Sequence, residues 1–327
     1  MKRREFLVGT AAGLAGLGAG ALAQSGQAPA AGGAPGRAGA APGRGAGGRG
    51  AGPAAVPEWK LARVSIMTYN FSSMLKLPWN TAPNANQTLD LMDLPQYYID
   101  TYGVHNVEFQ HSHLAQGQND PDPAFMKEIR AKLDALKSTA TQINIETGNL
   151  GGMDAAASKA WVESTKKWTD AALILGVKRL MLNQGMLNAD TKASVIATWK
   201  EAVAYAKPKD IMISAETRGG GGAANSIPAW KLLEEVIEAS GGHSNIDIGG
   251  AGAPNQEALN EAIKGMYPTS SGNMHIKSSP NWDIGAAVRY TESLGYTGRY
   301  SIEVSPDAIR IVYNTILANV KNMPKVV

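Results

Sequence analysis

From Leu61 onward, short runs of β-branched and apolar residues alternate with longer stretches whose apolar positions recur at helical spacing. The short runs predict eight strands, over residues 64–68, 106–110, 142–147, 179–183, 211–216, 245–248, 273–277 and 300–304. The stretches between them predict helices over 88–101, 123–138, 158–175, 191–206, 227–239, 256–265 and 283–294, with 307–323 closing the chain. Eight βα units in roughly 250 residues are the arithmetic of an α/β (β/α)8 TIM barrel. An open doubly wound sheet would show a Gly-rich phosphate turn after its first strand, and Tyr69-Asn70-Phe71-Ser72-Ser73 is no such turn. Ser158, Thr191 and Asp283 can serve as helix N-caps, and Gly176 and Gly295 punctuate two helix ends.

The pattern begins late because the front of the chain reads as an address. Lys2, Arg3 and Arg4 form a basic head, Arg3-Arg4-Glu5-Phe6-Leu7 reads as a twin-arginine export signal, and Ala21-Leu22-Ala23 offers a cleavage site. Its Gly/Ala-rich middle is less apolar than a membrane span, so residues 1–23 are expected to be removed, with no stable membrane insertion afterwards. Residues 24–57 are almost entirely Gly, Ala, Pro and Arg and cannot bury enough surface to offset ordering, so a disordered linker is expected there. The catalytic domain is then 58–327, in a periplasmic or exported protein.

Charge and cysteine content narrow the chemistry. The whole chain carries +3, but Lys2, Arg3, Arg4, Arg37, Arg44 and Arg49 less Glu5 put five net positive charges before residue 58, so the body is −2. A slightly acidic body argues against nucleic acid as a partner. There are no cysteines, which removes disulfides and thiolate metal sites.

Four polar residues end four of the strands: Glu216, Asp247, His275 and Glu303, at intervals of 31, 28 and 28 residues, about one βα unit each. In a closed barrel their side chains converge at one mouth, and three carboxylates with one imidazole make a site for a divalent cation. Other candidates at strand ends are Glu108, His111 and His113, then Glu146 with Asn149, then Asn183 and Gln184, all expected to face the mouth. His113 and Glu146 read either as partners for sugar hydroxyls or as supporting loop residues. Lys277 is expected to point into the site as a donor to an oxyanion, and Arg218 beyond Glu216 joins the substrate-binding set. The glycine run 219–222 reads equally as a loop close to a ligand and as an insertion without a role. Trp79, Trp230 and Trp282 fall in or beside loops on that side, as sugar-stacking rings or as packing. His105 and His243 read as structural.

Three segments resemble the sugar phosphate isomerase/epimerase superfamily of xylose-isomerase-like TIM barrels, which includes ketose 3-epimerases and inosose dehydratases. Asp170-Ala-Ala-Leu-Ile-Leu-Gly-Val-Lys-Arg-Leu is similar to its helix and strand before the fourth loop, Leu294-Gly-Tyr-Thr-Gly-Arg-Tyr-Ser-Ile-Glu303 to its closing motif, and Met274-His275-Ile-Lys277 to its His-x-Lys-Asp turn. The resemblance implies a divalent metal, Mn2+ first with Mg2+, Co2+ or Zn2+ as options, held by Glu216, Asp247, His275 and Glu303. It implies also that Glu216 and Glu303 exchange protons with a small carbohydrate beside its carbonyl, through a metal-stabilised enediolate, as in an isomerase or epimerase. Two alternatives stand beside it: a metal-dependent lyase eliminating across a keto-sugar or 3-keto-glycoside, and a non-catalytic sugar-binding barrel. A homo-oligomer is left open. The chain departs from the pattern where members often carry a His, at Gly249-Gly250-Ala251-Gly252, and where the turn's Asp is Ser278 and its arginine and Gly-rich run are shortened to Ser279-Pro280-Asn281-Trp282. Those positions normally grip the substrate, so the substrate is expected to differ while the metal chemistry is kept.

Overall fold

Eight parallel strands close into a barrel in the computed structural model, which describes residues 56–80, 84–117, 119–146, 148, 150–185, 187–216, 226–249 and 253–325. They are β1 (Val64–Met67), β2 (Asn106–Gln110), β3 (Thr139–Ile145), β4 (Arg179–Leu182), β5 (Met212–Glu216), β6 (His243–Ile248), β7 (Ser270–Ile276) and β8 (Arg299–Ile302). A helix follows each: α1 (Leu94–Tyr102), α2 (Pro123–Ala135), α3 (Ala155–Leu175), α4 (Lys192–Ala206), α5 (Ser226–Ser240), α6 (Gln256–Met266), α7 (Ile284–Ser293) and α8 (Ile309–Asn319). Each strand pairs with its sequence neighbour, and β1 closes the ring by pairing with β8 (Ile66 opposite Ile302) and β2 (Ile66 opposite Val107). This is a (β/α)8 TIM barrel. The export signal at 1–23, the linker to residue 55, Asn149, Arg218, the glycine run 219–222 and residues 250–252 lie outside the described residues. Among the described residues no helix is long and apolar enough to cross a membrane.

Side chains alternate between the two faces of a strand, and here the alternation sorts them by polarity. Val107, Phe109, Ile143, Leu180, Leu182, Ile213, Ile246, Ile248, Met274, Ile276, Tyr300 and Ile302 are buried in the layer under the helices. Each such side chain contributes about 1.5–3 kcal/mol by leaving water. The alternate positions fill the barrel with polar groups: Ser65, Glu108, Gln142, Asn144, Asn245, Asn273 and Ser301 are all buried. Branched apolar layers usually fill this space.

Element boundaries moved where local chemistry differs from periodicity. The first helix begins at Leu94, not 88, because Leu89–Asp90 pairs with Leu75–Lys76 as a small parallel ribbon and Pro95 sits in the first helical turn. Asp154, not Ser158, caps α3 by accepting from Ala157 N, since three alanines carry the helix further forward. Asp283 caps α7 by accepting from Ala286 N. Thr191 occupies the N-cap position of α4 without a side-chain capping bond, its hydroxyl accepting from Asn188 N instead. Trp230 lies within α5, where its ring packs against Gly265 of α6, so it serves packing.

At the strand N-terminal end of the barrel, Arg63 and Glu292 form a buried ion pair at 2.6 Å. Glu292 also accepts from Tyr300 Oη and from the backbone N–H groups of Lys321 and Asn322, which fastens the C-terminal segment beneath β1. Removing either partner of such a pair costs about 3–5 kcal/mol.

Candidate active site

The polar rows that fill the barrel continue upward into the mouth. Ser214 leads to Glu216, Asn245 to Asp247, Asn273 to His275 and Ser301 to Glu303, two residues on in each case and so on the same face. Register aligns them, because Asp247 and Ser301 both lie opposite His275. His275 Nδ1 stands 2.8 Å from Glu216 Oε2 and 3.1 Å from Glu303 Oε2, while Nε2 stands 2.6 Å from Glu108 Oε1. One donor atom from each of Glu216, His275 and Glu303 lies within 4.8 Å of the others.

Asp247, expected as the fourth member, falls outside that group of three. Lys277 holds it, donating to Asp247 Oδ2 at 2.8 Å and standing 3.2 Å from Glu303 Oε1. Asp247 Oδ1 is buried without a hydrogen-bond partner. The Lys277 ammonium thus sits between two carboxylates at the mouth. Gly249 makes this approach possible: its φ is +129°, and a Cβ there would fall 2.5 Å from Lys277 Cβ.

The electrostatics follow from burial and mutual pairing. Burial opposes charging His275, but Glu108 and Glu216 outweigh it and hold the imidazole well above its ordinary value. Burial would raise Glu108, yet the same His275 draws it below the carboxylate range. Burial pushes Asp247 up to about 6, against the pull of Lys277 and with Glu216 and Glu303 adding to the rise. Burial works against the Lys277 charge as well, but Asp247, Glu216 and Glu303 raise it strongly.

Several expected substrate contacts have other work. Glu108 is fully enclosed: Oε1 accepts from Asn144, Gln142 and His275, and Oε2 from Asn273 Nδ2 at 2.9 Å. It lies beneath His275, out of a ligand's reach, and fixes the ring from behind. His113 is buried, with Thr68 Oγ1 2.9 Å from Nδ1 and Ser72 Oγ 3.1 Å from Nε2. Burial, helped by His111, lowers it to about 4, so it is a neutral strut. Glu146 lies just past the end of β3 and accepts from Asn183 Nδ2 at 3.2 Å. Gln184 donates to the Glu216 carbonyl at 2.9 Å, and its buried Oε1 has no partner.

Two features escaped the sequence reading. Gln142, Asn144, Asn245 and Asn273 form an amide network under the mouth, with Gln142 Nε2 reaching Glu108, Asn144 and Asn245. Asn70 brackets Glu303, donating to Ile302 O and accepting from Val304 N. Asn70 and Glu303 line a cleft of about 520 Å³ with Tyr69, Ser72, Lys277 and Ser278, which opens the site to a small molecule.

The donor set fits a divalent cation. Two donors bonded at right angles to one ion at about 2.1 Å stand about 3.0 Å apart, and the Nδ1-to-carboxylate distances of 2.8 and 3.1 Å match that spacing. With Glu108 holding Nε2–H, His275 would present Nδ1 as a ligand on giving up its second proton. Buried Asp247 Oδ1 has no hydrogen-bond partner, as fits a ligand oxygen.

No protein-family model and no curated protein matches the sequence. Solved structures do match the fold. A xylose isomerase domain protein from Planctomyces limnophilus is 14% identical, with 79% of this chain and 97% of that chain covered at a TM-score of 0.56. A D-psicose 3-epimerase from Clostridium cellulolyticum H10, solved with D-tagatose, is 11% identical, covers 80% and 91%, and has a TM-score of 0.57. A family 2 AP endonuclease from Brucella melitensis is 17% identical, covers 75% and 93%, and also has a TM-score of 0.57. At such identities the likeness is one of architecture: the chain shares its (β/α)8 fold with these structures.

Proposed function

We propose that the protein is a divalent-metal-dependent sugar isomerase or epimerase that moves a proton on a carbon beside a carbonyl. The observation that carries this reading is the convergence of Glu216, His275 and Glu303 donor atoms within 4.8 Å at the barrel mouth. Glu216, His275 and Glu303 would hold the ion, with Asp247 Oδ1 beside them. When bound, such an ion polarises a carbonyl and its neighbouring hydroxyl, which makes the adjoining C–H proton acidic enough for a carboxylate to remove.

The chain's own residues supply the rest. Glu216 and Glu303 enter from β5 and from the end of β8, so a sugar between them meets a carboxylate on each side, one to take a proton and one to return it. Lys277 offers an ammonium to developing negative charge on oxygen. Gln184 Oε1 is an acceptor for a sugar hydroxyl. The AP endonuclease shares the architecture, but a body of net charge −2 is a poor match for phosphate backbones. The basic head and Gly/Ala-rich leader support a periplasmic, exported protein with residues 1–23 removed and 24–57 as a tether.

Incubation with a panel of ketoses and keto-glycosides in D2O tests the reading. Solvent deuterium should enter at one carbon, and chelator should abolish it. Glu216→Gln and Glu303→Gln should each slow exchange by about 10²–10⁴-fold. Release of an aglycone would assign elimination in place of isomerisation, and absence of both exchange and turnover with metal present would contradict an enzymatic role.

A further inference from the structure

A second large cavity, of about 630 Å³, lies at the opposite end of the barrel and is lined in part by Arg179, Arg299, Ser271, Tyr296 and Lys325. Arg179 opens β4 and Arg299 opens β8, so both stand at strand N-termini, at the end of the barrel opposite the mouth. Arg179 shares its inward face with Met181, which lies in register with Ser214, and Arg299 shares its own with Ser301. Two guanidiniums from non-adjacent strands therefore face one space.

Neither has a counter-ion among the described residues. Arg179 is 6% exposed and donates Nε to the Ser271 carbonyl at 2.6 Å. Arg299 Nε is enclosed and has no hydrogen-bond partner, and neither has Ser271 Oγ on a residue 2% exposed. Glu108, whose charge supports Arg179, is already engaged by His275, and Glu292 is engaged by Arg63. Burial, and then the Arg179 charge, push Arg299 down to about 10, so it remains cationic at neutral pH. Burying charges of like sign without a partner is costly, and folded proteins meet that cost with an anion or a paired side chain.

We propose that this cavity binds a small oxyanion, a phosphate or carboxylate group, between Arg179 and Arg299. A guanidinium fork presents parallel N–H donors matched to such a group. Ser271 Oγ and Lys325 add donors at the wall, beside Tyr296. The volume falls in the usual range for small-molecule sites. The site is independent of the metal cluster, so its failure would leave the proposed function untouched.

Calorimetric titration and thermal melts of the whole protein with inorganic phosphate, glycerol 3-phosphate and acetate, at ionic strength fixed with chloride, test this. At least one of the three should bind and raise Tm, and the strongest identifies free phosphate, a phosphate monoester or a carboxylate as the ligand class. Arg299→Met should weaken that binding at least about tenfold and should itself melt above the wild type in chloride alone, because an uncompensated charge is gone. Arg299→Lys, which keeps the charge but not the fork, should also bind more weakly and serves if the first variant does not fold. Absence of binding by all three would overturn the proposal. So would equal Tm gains in wild type and Arg299→Met, which would mark the general salting-out effect of such anions.

Discussion

At the scale of single residues, the site depends on what stands behind His275. Glu108 draws Nε2 and leaves Nδ1 facing Glu216 and Glu303, so one carboxylate sets the ring's orientation and shares with Glu216 in raising its basicity. Glu108→Gln should keep the shape of the amide network and weaken Mn2+ binding by about 10–100-fold, as read by calorimetry on protein with unchanged circular dichroism. Unaltered affinity would show that His275 needs no such support. Glu216, His275 and Glu303 were legible in the sequence because each ends an apolar strand at βα spacing. Asp247 was legible as a mouth residue, but its capture by Lys277 was not, since that depends on a side chain crossing between strands. The depth of Glu108 and His113 was not legible either, because strand position gives the direction a side chain points and not how far down the barrel it sits.

At the scale of elements, the strands carry a signal that periodicity alone left unused. Asn-Val-Glu-Phe-Gln in β2 and the Gln-Ile-Asn-Ile end of β3 alternate polar with apolar, as a sheet with one wet face does, yet both faces here are buried. Reading that alternation as a polar barrel interior would have found Gln142, Asn144, Asn245 and Asn273 along with the mouth. Bulges adjust the register that brings these rows together. β7 gains residues between Ser270 and Met274 opposite Ser244 and Ile246, with Gly272 at φ +78°. Gly249, just past the end of β6, lets the chain pass close to Lys277. Gly249→Ala should destabilise the protein by about 1–3 kcal/mol and displace Lys277 from Asp247, measured as a loss of denaturation free energy together with reduced exchange activity. A fully stable and active variant would show that the close approach is not needed. Only a residue without Cβ lets β6 pass Lys277 this closely.

At the scale of the whole molecule, helix–barrel packing sets stability, and a few buried acids tie it to pH. Glu234 in α5 is pushed up to about 7, mainly by burial, with Glu238 adding to the rise and a hydrogen bond from Thr269 Oγ1 at 2.7 Å opposing it. A carboxyl whose folded value lies above its unfolded one binds more protons when folded, so its contribution is full below about 4.5 and is lost as pH rises through about 7. Glu234→Gln should therefore flatten the fall in Tm between pH 5 and pH 8, and an unchanged slope would contradict this role. The barrel itself was readable from eight apolar runs separated by helical stretches, since the closed fold repeats one unit. The Arg63–Glu292 fastening and the two-arginine cavity were not, because both join residues more than a hundred positions apart with no local pattern.

The central claim is that Glu216, His275 and Glu303 grip one divalent cation at the barrel mouth. Anomalous diffraction at the manganese edge, from crystals grown with Mn2+, tests it most directly. The account predicts a single strong peak bonded to His275 Nδ1 and to oxygens of Glu216 and Glu303, with Glu108 still on Nε2. A peak elsewhere, or none while His275 keeps both carboxylates as its partners, would contradict it.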